Sequence, residues 1–108
     1  MPHLPSEDRN HVINTRYNDD LPVSHDDWAQ YWNVLSSACD VYIDREKVRH
    51  GLWKSYNAAA QMTQVKIKSE RVLHALDHSP EHSLIMMAEL EDIINYSVFA
   101  YRKIDGTV

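Results

Sequence analysis

Glycine is almost missing from this chain: Gly51 and Gly106 are the whole complement in 108 residues, and proline adds four more breakers. A turn-rich β fold needs far more of both, so the long uninterrupted stretches favour helices. Cysteine occurs once, at Cys39, which rules out an intrachain disulfide. No apolar run approaches the ~20 residues that cross a bilayer, and no signal peptide is recognisable. A cytoplasmic location without a membrane partner is therefore expected. Positive charge is also in deficit, 11 Lys and Arg against 16 Asp and Glu, for a net −5. Such a balance disfavours a polymeric nucleic acid as partner.

What is present suits one small helical domain. Apolar residues make up 44% of the chain, and a chain of this length buries ~65% of its extended surface, enough for a modest core. The charge is unevenly spread. Seven of the basic residues fall between Arg45 and Arg71, opposed there by Glu46 and Glu70 alone, whereas Asp77 to Asp92 holds five acids and no Lys or Arg. A basic middle beside an acidic last segment suits a small anion with a divalent cation, and equally suits charge complementarity between helices.

Residues 1–23 are polar, carry three of the four prolines and show no sustained period. They read as an irregular lead-in, with Val12, Ile13, Tyr17 and Leu21 able to pack onto the body. A single helical domain is expected over 24–104, with a short tail at 105–108. Ser24 with Asp27 resembles a capping box, and a helix should follow to Arg49. Its stripe is Trp28, Tyr31/Trp32, Leu35, Ala38/Cys39 and Tyr42, more in keeping with core than with a ligand platform. Gly51 should end it in the left-handed conformation. Asn57 can cap a second helix to Asp77, whose buried stripe is expected at Met62, Val65, Ser69, Val72/Leu73 and Leu76.

The last helix organises the rest. Ser79 is placed to cap it and Pro80 to occupy its first position, with the helix running to Arg102. One face carries Leu84, Met87, Leu90 or Glu91, Ile94, Val98 and Tyr101; the other carries Ile85, Glu89, Asp92, Ile93, Tyr96 and Phe99. Apolar residues on both faces predict neighbours on more than one side. The expected fold is all-α: an antiparallel, up-down-up three-helix arrangement with an irregular N-terminal segment, completed by oligomerisation into a dimer or larger homo-oligomer.

Glu89 and Asp92 stand one helical turn apart amid apolar neighbours. Carboxylates at i and i+3 can hold a hard cation such as Mg²⁺, and they also fit a solvated stripe together with Glu91. Lys68 and Arg71, again i and i+3, can face one phosphate or belong to a solvated charged face. His74 and His78, i and i+4, have a spacing that can grip a transition metal, but no local Cys or Glu completes a zinc motif.

The runs RHGLW (Arg49–Trp53), K-x-x-R (Lys68, Arg71) and ELEDIINYSVFA (Glu89–Ala100) resemble the nucleotide-modification-associated domain family, small helical proteins common in phage genomes and similar to the MazG-like all-α NTP pyrophosphatases. The resemblance covers about residues 45–102 and is densest at Asp92, Asn95 and Tyr96. It implies an oligomeric helical protein that handles a nucleotide or another small phosphate ligand with Mg²⁺. In MazG-like enzymes an E-E-x-x-E and an E-x-x-D element hold the metal. Glu89 and Asp92 match the second. The first is replaced by Lys68 and Arg71, with Glu70 alone remaining as a third metal ligand.

The expectation drawn from this is Mg²⁺ on Glu89, Asp92 and Glu70, phosphate on Lys68 and Arg71, a base or sugar edge read by Asn95, and stacking on Tyr96 or Trp53. If the chain is an enzyme, Glu89 and Asp92 are its catalytic residues. Metal-activated water would then attack a nucleoside triphosphate, releasing pyrophosphate and a monophosphate. Two alternatives stand beside it: a sequestering or sensing protein that binds a nucleotide or signalling nucleotide without turnover, and a purely structural, protein-binding helical domain.

Overall fold

The fold is taken from a computed structural model that describes residues 22–108. The expected lead-in with Val12, Ile13, Tyr17 and Leu21 lies outside the described residues. Among the described residues all regular structure is helical. Helix α1 spans His25–Arg49, a single 3-10 turn spans Leu52–Ser55, α2 spans Ala58–His78 and α3 spans Ser83–Ile104. No helix among them is long and apolar enough to cross a membrane.

The first two caps form as their residues dictate. Ser24 Oγ accepts the Asp27 N–H at 3.1 Å, and Asp26 and Asp27 place negative charge on the positive end of α1. Asn57 Oδ1 accepts the Ala60 N–H at 2.8 Å and starts α2. The exit from α1 takes two consecutive left-handed residues, His50 at φ 48° and Gly51 at φ 78°. Glycine tolerates this conformation; histidine is costlier there. The Glu46 carboxylate anchors the bend by accepting the Gly51 N–H at 2.6 Å.

The third start corrects the expectation. Ser79 does not cap α3. Its N–H still bonds the Ala75 carbonyl at 2.8 Å, closing α2. The His82 N–H then bonds Ser79 O, and the Met86 N–H to His82 O opens α3 three residues late, with His82 in the cap position. Pro80 therefore sits in the connecting turn, where its fixed φ and missing N–H are equally well tolerated.

Helix α3 is the element against which both others pack, α2 more extensively than α1. The apolar core among the described residues is small: Ala38, Trp53, Val72, Met86 and Ala100. Buried with them are three polar side chains, Gln61, Asp92 and Asn95. The buried stripe of α2 is displaced from the expected one. Gln61 and Val72 are buried and Val65, Lys68 and Ala75 half-buried, while Met62, Leu73 and Leu76 face outward. The inward line 61, 65, 68, 72, 75 keeps helical spacing, but it includes a lysine and a glutamine that a hydrophobic count places outside. Cys39 is half-buried on α1.

Candidate functional site

The expected acidic and basic sets meet, but on each other. Lys68 leaves α2 toward α3, where its Nζ lies 3.0 Å from Glu89 Oε2 and 2.9 Å from Asp92 Oδ2. Arg71, one turn on, reaches Glu89 Oε1 at 3.6 Å. From α1, Arg45 Nη1 donates to Asp92 Oδ1. Two carboxylates of α3 are thus held by three cations from the two flanking helices, and Asp92 joins all three helices through one side chain.

Burial and pairing compete at this cluster. Asp92 is 7% exposed. Burial alone would push its carboxyl up, but the hydrogen bonds and charges of Arg45 and Lys68 outweigh that and hold it below the ordinary carboxylate range. For Lys68 burial favours the neutral amine, yet the bonds to Asp92 and Glu89 prevail and hold its ammonium above the ordinary lysine value. Both groups are therefore ionised across the neutral range.

This geometry bears on the expected metal ligands. Every carboxylate oxygen of Asp92 and Glu89 has a cationic partner within 4 Å. Glu70 is exposed on α2, along an open groove shared with Ile67, Arg71, His74, Ile85 and Glu89. No group of three or more His, Cys, Asp or Glu among the described residues is arranged to hold a metal ion. A hard cation here would have to displace the Lys68 ammonium. As the chain stands, Lys68 occupies the place between Glu89 and Asp92. His74 and His78 stack with ring centroids 4.1 Å apart, and His78 Nδ1 donates to the His74 carbonyl at 3.0 Å.

The remaining expected residues, Trp53, Asn95 and Tyr96, come together in a separate cleft between α1, the 3-10 turn and α3. It encloses about 80 Å³ and is walled by the rings of Tyr42, Tyr56, Tyr96 and Phe99 as well as Trp53. Trp53 stacks on Phe99 at 4.3 Å with only 10° between the planes, and the Arg102 guanidinium lies 5.5 Å from the Trp53 ring centre. Asn95 Nδ2 donates to the Ala38 carbonyl and Gln61 Nε2 to the Trp53 carbonyl, each at 2.9 Å. These two buried amides pin α1 to α3 and the 3-10 turn to α2. Trp53 Nε1 is buried with no acceptor among the described residues.

Arg45 and Arg49 also line this cleft; Arg49 opens the RHGLW run, but neither is among the expected site residues. Their signal is present: Ala38, Tyr42, Arg45 and Arg49 fall at i, i+4, i+7 and i+11, one line along α1. Arg45 is shared, facing the cleft on one side and Asp92 on the other. Lys68 and Arg71, expected to hold phosphate, do not line this cleft.

In comparisons with known proteins, no family model, no curated protein and no solved structure matches this chain.

Proposed function

We propose that the protein is a nucleotide-binding module that holds its ligand in the Trp53 cleft without turning it over. The observation that carries this reading is the pairing of aromatic walls with Arg45 and Arg49 in one recess. Aromatic faces accept any base, and guanidinium forks suit phosphate oxygens. A cavity of about 80 Å³ is smaller than the ~150 Å³ that takes up a benzene ring. A base would thus enter edge-first, leaving sugar and phosphate at the mouth beside Arg49. The buried N–H of Trp53 lacks an acceptor, and a ligand atom that reached it would supply one.

Binding without hydrolysis is favoured because Glu89 and Asp92 already serve Lys68, Arg71 and Arg45. The hydrolytic alternative keeps one supporting observation: both carboxylates do share a face of α3. It requires Mg²⁺ to replace the Lys68 ammonium before water can be activated. Calorimetry with each deoxynucleoside mono- and triphosphate, with and without Mg²⁺, tests the two. Metal-independent binding with unchanged nucleotide supports the module. Pyrophosphate release that depends on Glu89 and Asp92 would replace it with the enzyme, and no binding to any nucleotide removes both.

The helix arrangement belongs to the same proposal. The short α2–α3 connection and the contacts of Lys68 and Arg71 with Glu89, close to that connection, support an antiparallel, up-down-up order. The large apolar side chains left outside support an oligomer.

A further inference from the structure

Gln61 and Asn95, two of the three buried polar side chains, both line the Trp53 cleft, and each amide is only half used. A carbonyl can only accept, so the amide nitrogen must be the atom turned toward it: Gln61 Nε2 toward Trp53 O and Asn95 Nδ2 toward Ala38 O. These bonds fix both amide orientations. They leave Gln61 Oε1 and Asn95 Oδ1 without a donor among the described residues. The side chains are deeply placed, Gln61 at 2% and Asn95 at 8% exposure, yet neither oxygen is sealed off. The same cleft holds the opposite need in Trp53 Nε1–H, a buried donor without an acceptor. Glu46 adds a further acceptor, because only its Oε2 is taken, by the Gly51 N–H. The tyrosine hydroxyls can serve either way, and the guanidinium groups of Arg45 and Arg49 answer phosphate.

We infer that the base selected by this cleft is guanine. The inference rests on the cleft being the nucleotide site proposed above, and adds which base it takes. A recess of about 80 Å³ admits a base by an edge, and the edge is where a base carries its donors and acceptors. Two amide acceptors and one indole donor call for an edge with two donors and one acceptor. The pairing edge of guanine has that set: its ring N–H and its 2-amino group donate, and its 6-oxygen accepts. Adenine offers one amino donor beside a ring nitrogen that accepts. Cytosine has one amino donor and two acceptors, and thymine one N–H between two carbonyl oxygens. Each of these leaves an amide oxygen of Gln61 or Asn95 without its donor. A withdrawn polar group left unpaired loses the water it gave up and gains nothing, so it rejects a wrong ligand more strongly than a spare contact attracts a right one.

Calorimetry of the full chain with dGMP, dIMP, dAMP, dCMP and dTMP, in the absence of metal, tests the selection without altering the protein. The dGMP complex should be tighter than those of dAMP, dCMP and dTMP by about tenfold. Hypoxanthine, the base of dIMP, keeps the ring N–H and the 6-oxygen but lacks the 2-amino group, so dIMP should bind several-fold more weakly than dGMP. A second readout follows the indole. The Trp53 Nε1–H resonance, identified by its absence from Trp53→Phe, should move downfield when dGMP binds, as its proton gains an acceptor. Five monophosphates bound alike overturn the inference and leave the cleft as a nucleotide site without base preference. So does a preference for dAMP, dCMP or dTMP, and so does dIMP bound as tightly as dGMP. An indole resonance that dGMP leaves in place overturns the pairing of Trp53 with the 6-oxygen. No binding by any of the five removes the nucleotide reading and this inference together.

Discussion

Lys68 and Asp92 sit on different helices and hold each other at 2.9 Å, both largely withdrawn from water. Neither would be stable there alone. A buried ion removed from its partner leaves an uncompensated charge, whereas the intact pair is close to break-even against apolar residues of the same size. The pair therefore acts less as a source of stability than as a specification of which residues of α2 and α3 must meet.

Removing one partner should expose that dependence. Asp92→Asn leaves Lys68 and Arg45 facing a neutral amide. The expected loss is about 3 kcal/mol, with a melting temperature lower by roughly 15 °C. Glu89→Gln should cost about 1 kcal/mol, since Glu89 and Arg71 are more open to solvent and exposed pairs contribute little. Denaturant titrations of the two variants check the order. An Asp92→Asn protein as stable as the wild type would mean that the cluster is incidental to the fold.

The same cluster sets a pH window. Asp92 has its folded pKa depressed, so its contribution is present above the ordinary carboxylate value of ~3.9 and is lost as pH falls toward the folded value. Lys68 has its folded pKa raised, so its contribution is present below the ordinary ~10.4 and is lost as pH rises beyond that. Stability from these two groups should be level between about pH 5 and pH 9 and fall outside it. Urea midpoints measured across that range check it, and in Asp92→Asn the acid limb should flatten.

Trp53 should be the most sensitive apolar position. It is one of the few large apolar side chains buried among the described residues, and it stacks on Phe99 beneath Arg102. Trp53→Ala should cost about 3–5 kcal/mol. Trp53→Phe keeps the stack and also removes the N–H that has no acceptor, so it should cost far less than the alanine change. Thermal melts of the two variants side by side decide whether the ring or its N–H matters to the fold.

Much of the helical frame was legible in the residues. Ser24, Asn57 and Gly51 announce their caps and stop, because such signals act within one turn and need no tertiary knowledge. Ser79-Pro80 misled for a related reason: the pair suits the first turn of a helix as well as a linker, and only the bond from Ser79 to Ala75 decides. The inner line of α2 was harder. Lys68 and Gln61 face inward, against the usual rule that such side chains face water, because partners on α3 and on the 3-10 turn satisfy them. Glu89 and Asp92 were recognised as carboxylates needing a partner; that the partners are Lys68, Arg71 and Arg45 depends on packing between helices, which spacing within one helix does not reveal. Arg45 and Arg49 lay on a readable line with Tyr42 but look like any basic helix end.

Arg45 and Arg49 should separate binding from folding. Both line the Trp53 cleft, but Arg45 also holds Asp92, while Arg49 is exposed and has no carboxylate partner within 4 Å among the described residues. Arg49→Ala should leave the melting temperature within a degree or two and weaken nucleotide binding about tenfold, the loss of one charge-assisted contact to phosphate. Arg45→Ala should weaken binding and also cost about 2 kcal/mol of stability, because Asp92 then keeps only Lys68. Measuring both quantities on both variants distinguishes a phosphate-binding cleft from a patch of structural arginines. If Arg49→Ala binds every nucleotide as the wild type does, phosphate is not held at this mouth. If Arg45→Ala alone changes, and only in stability, Arg45 serves the ion cluster and the cleft has no nucleotide to hold.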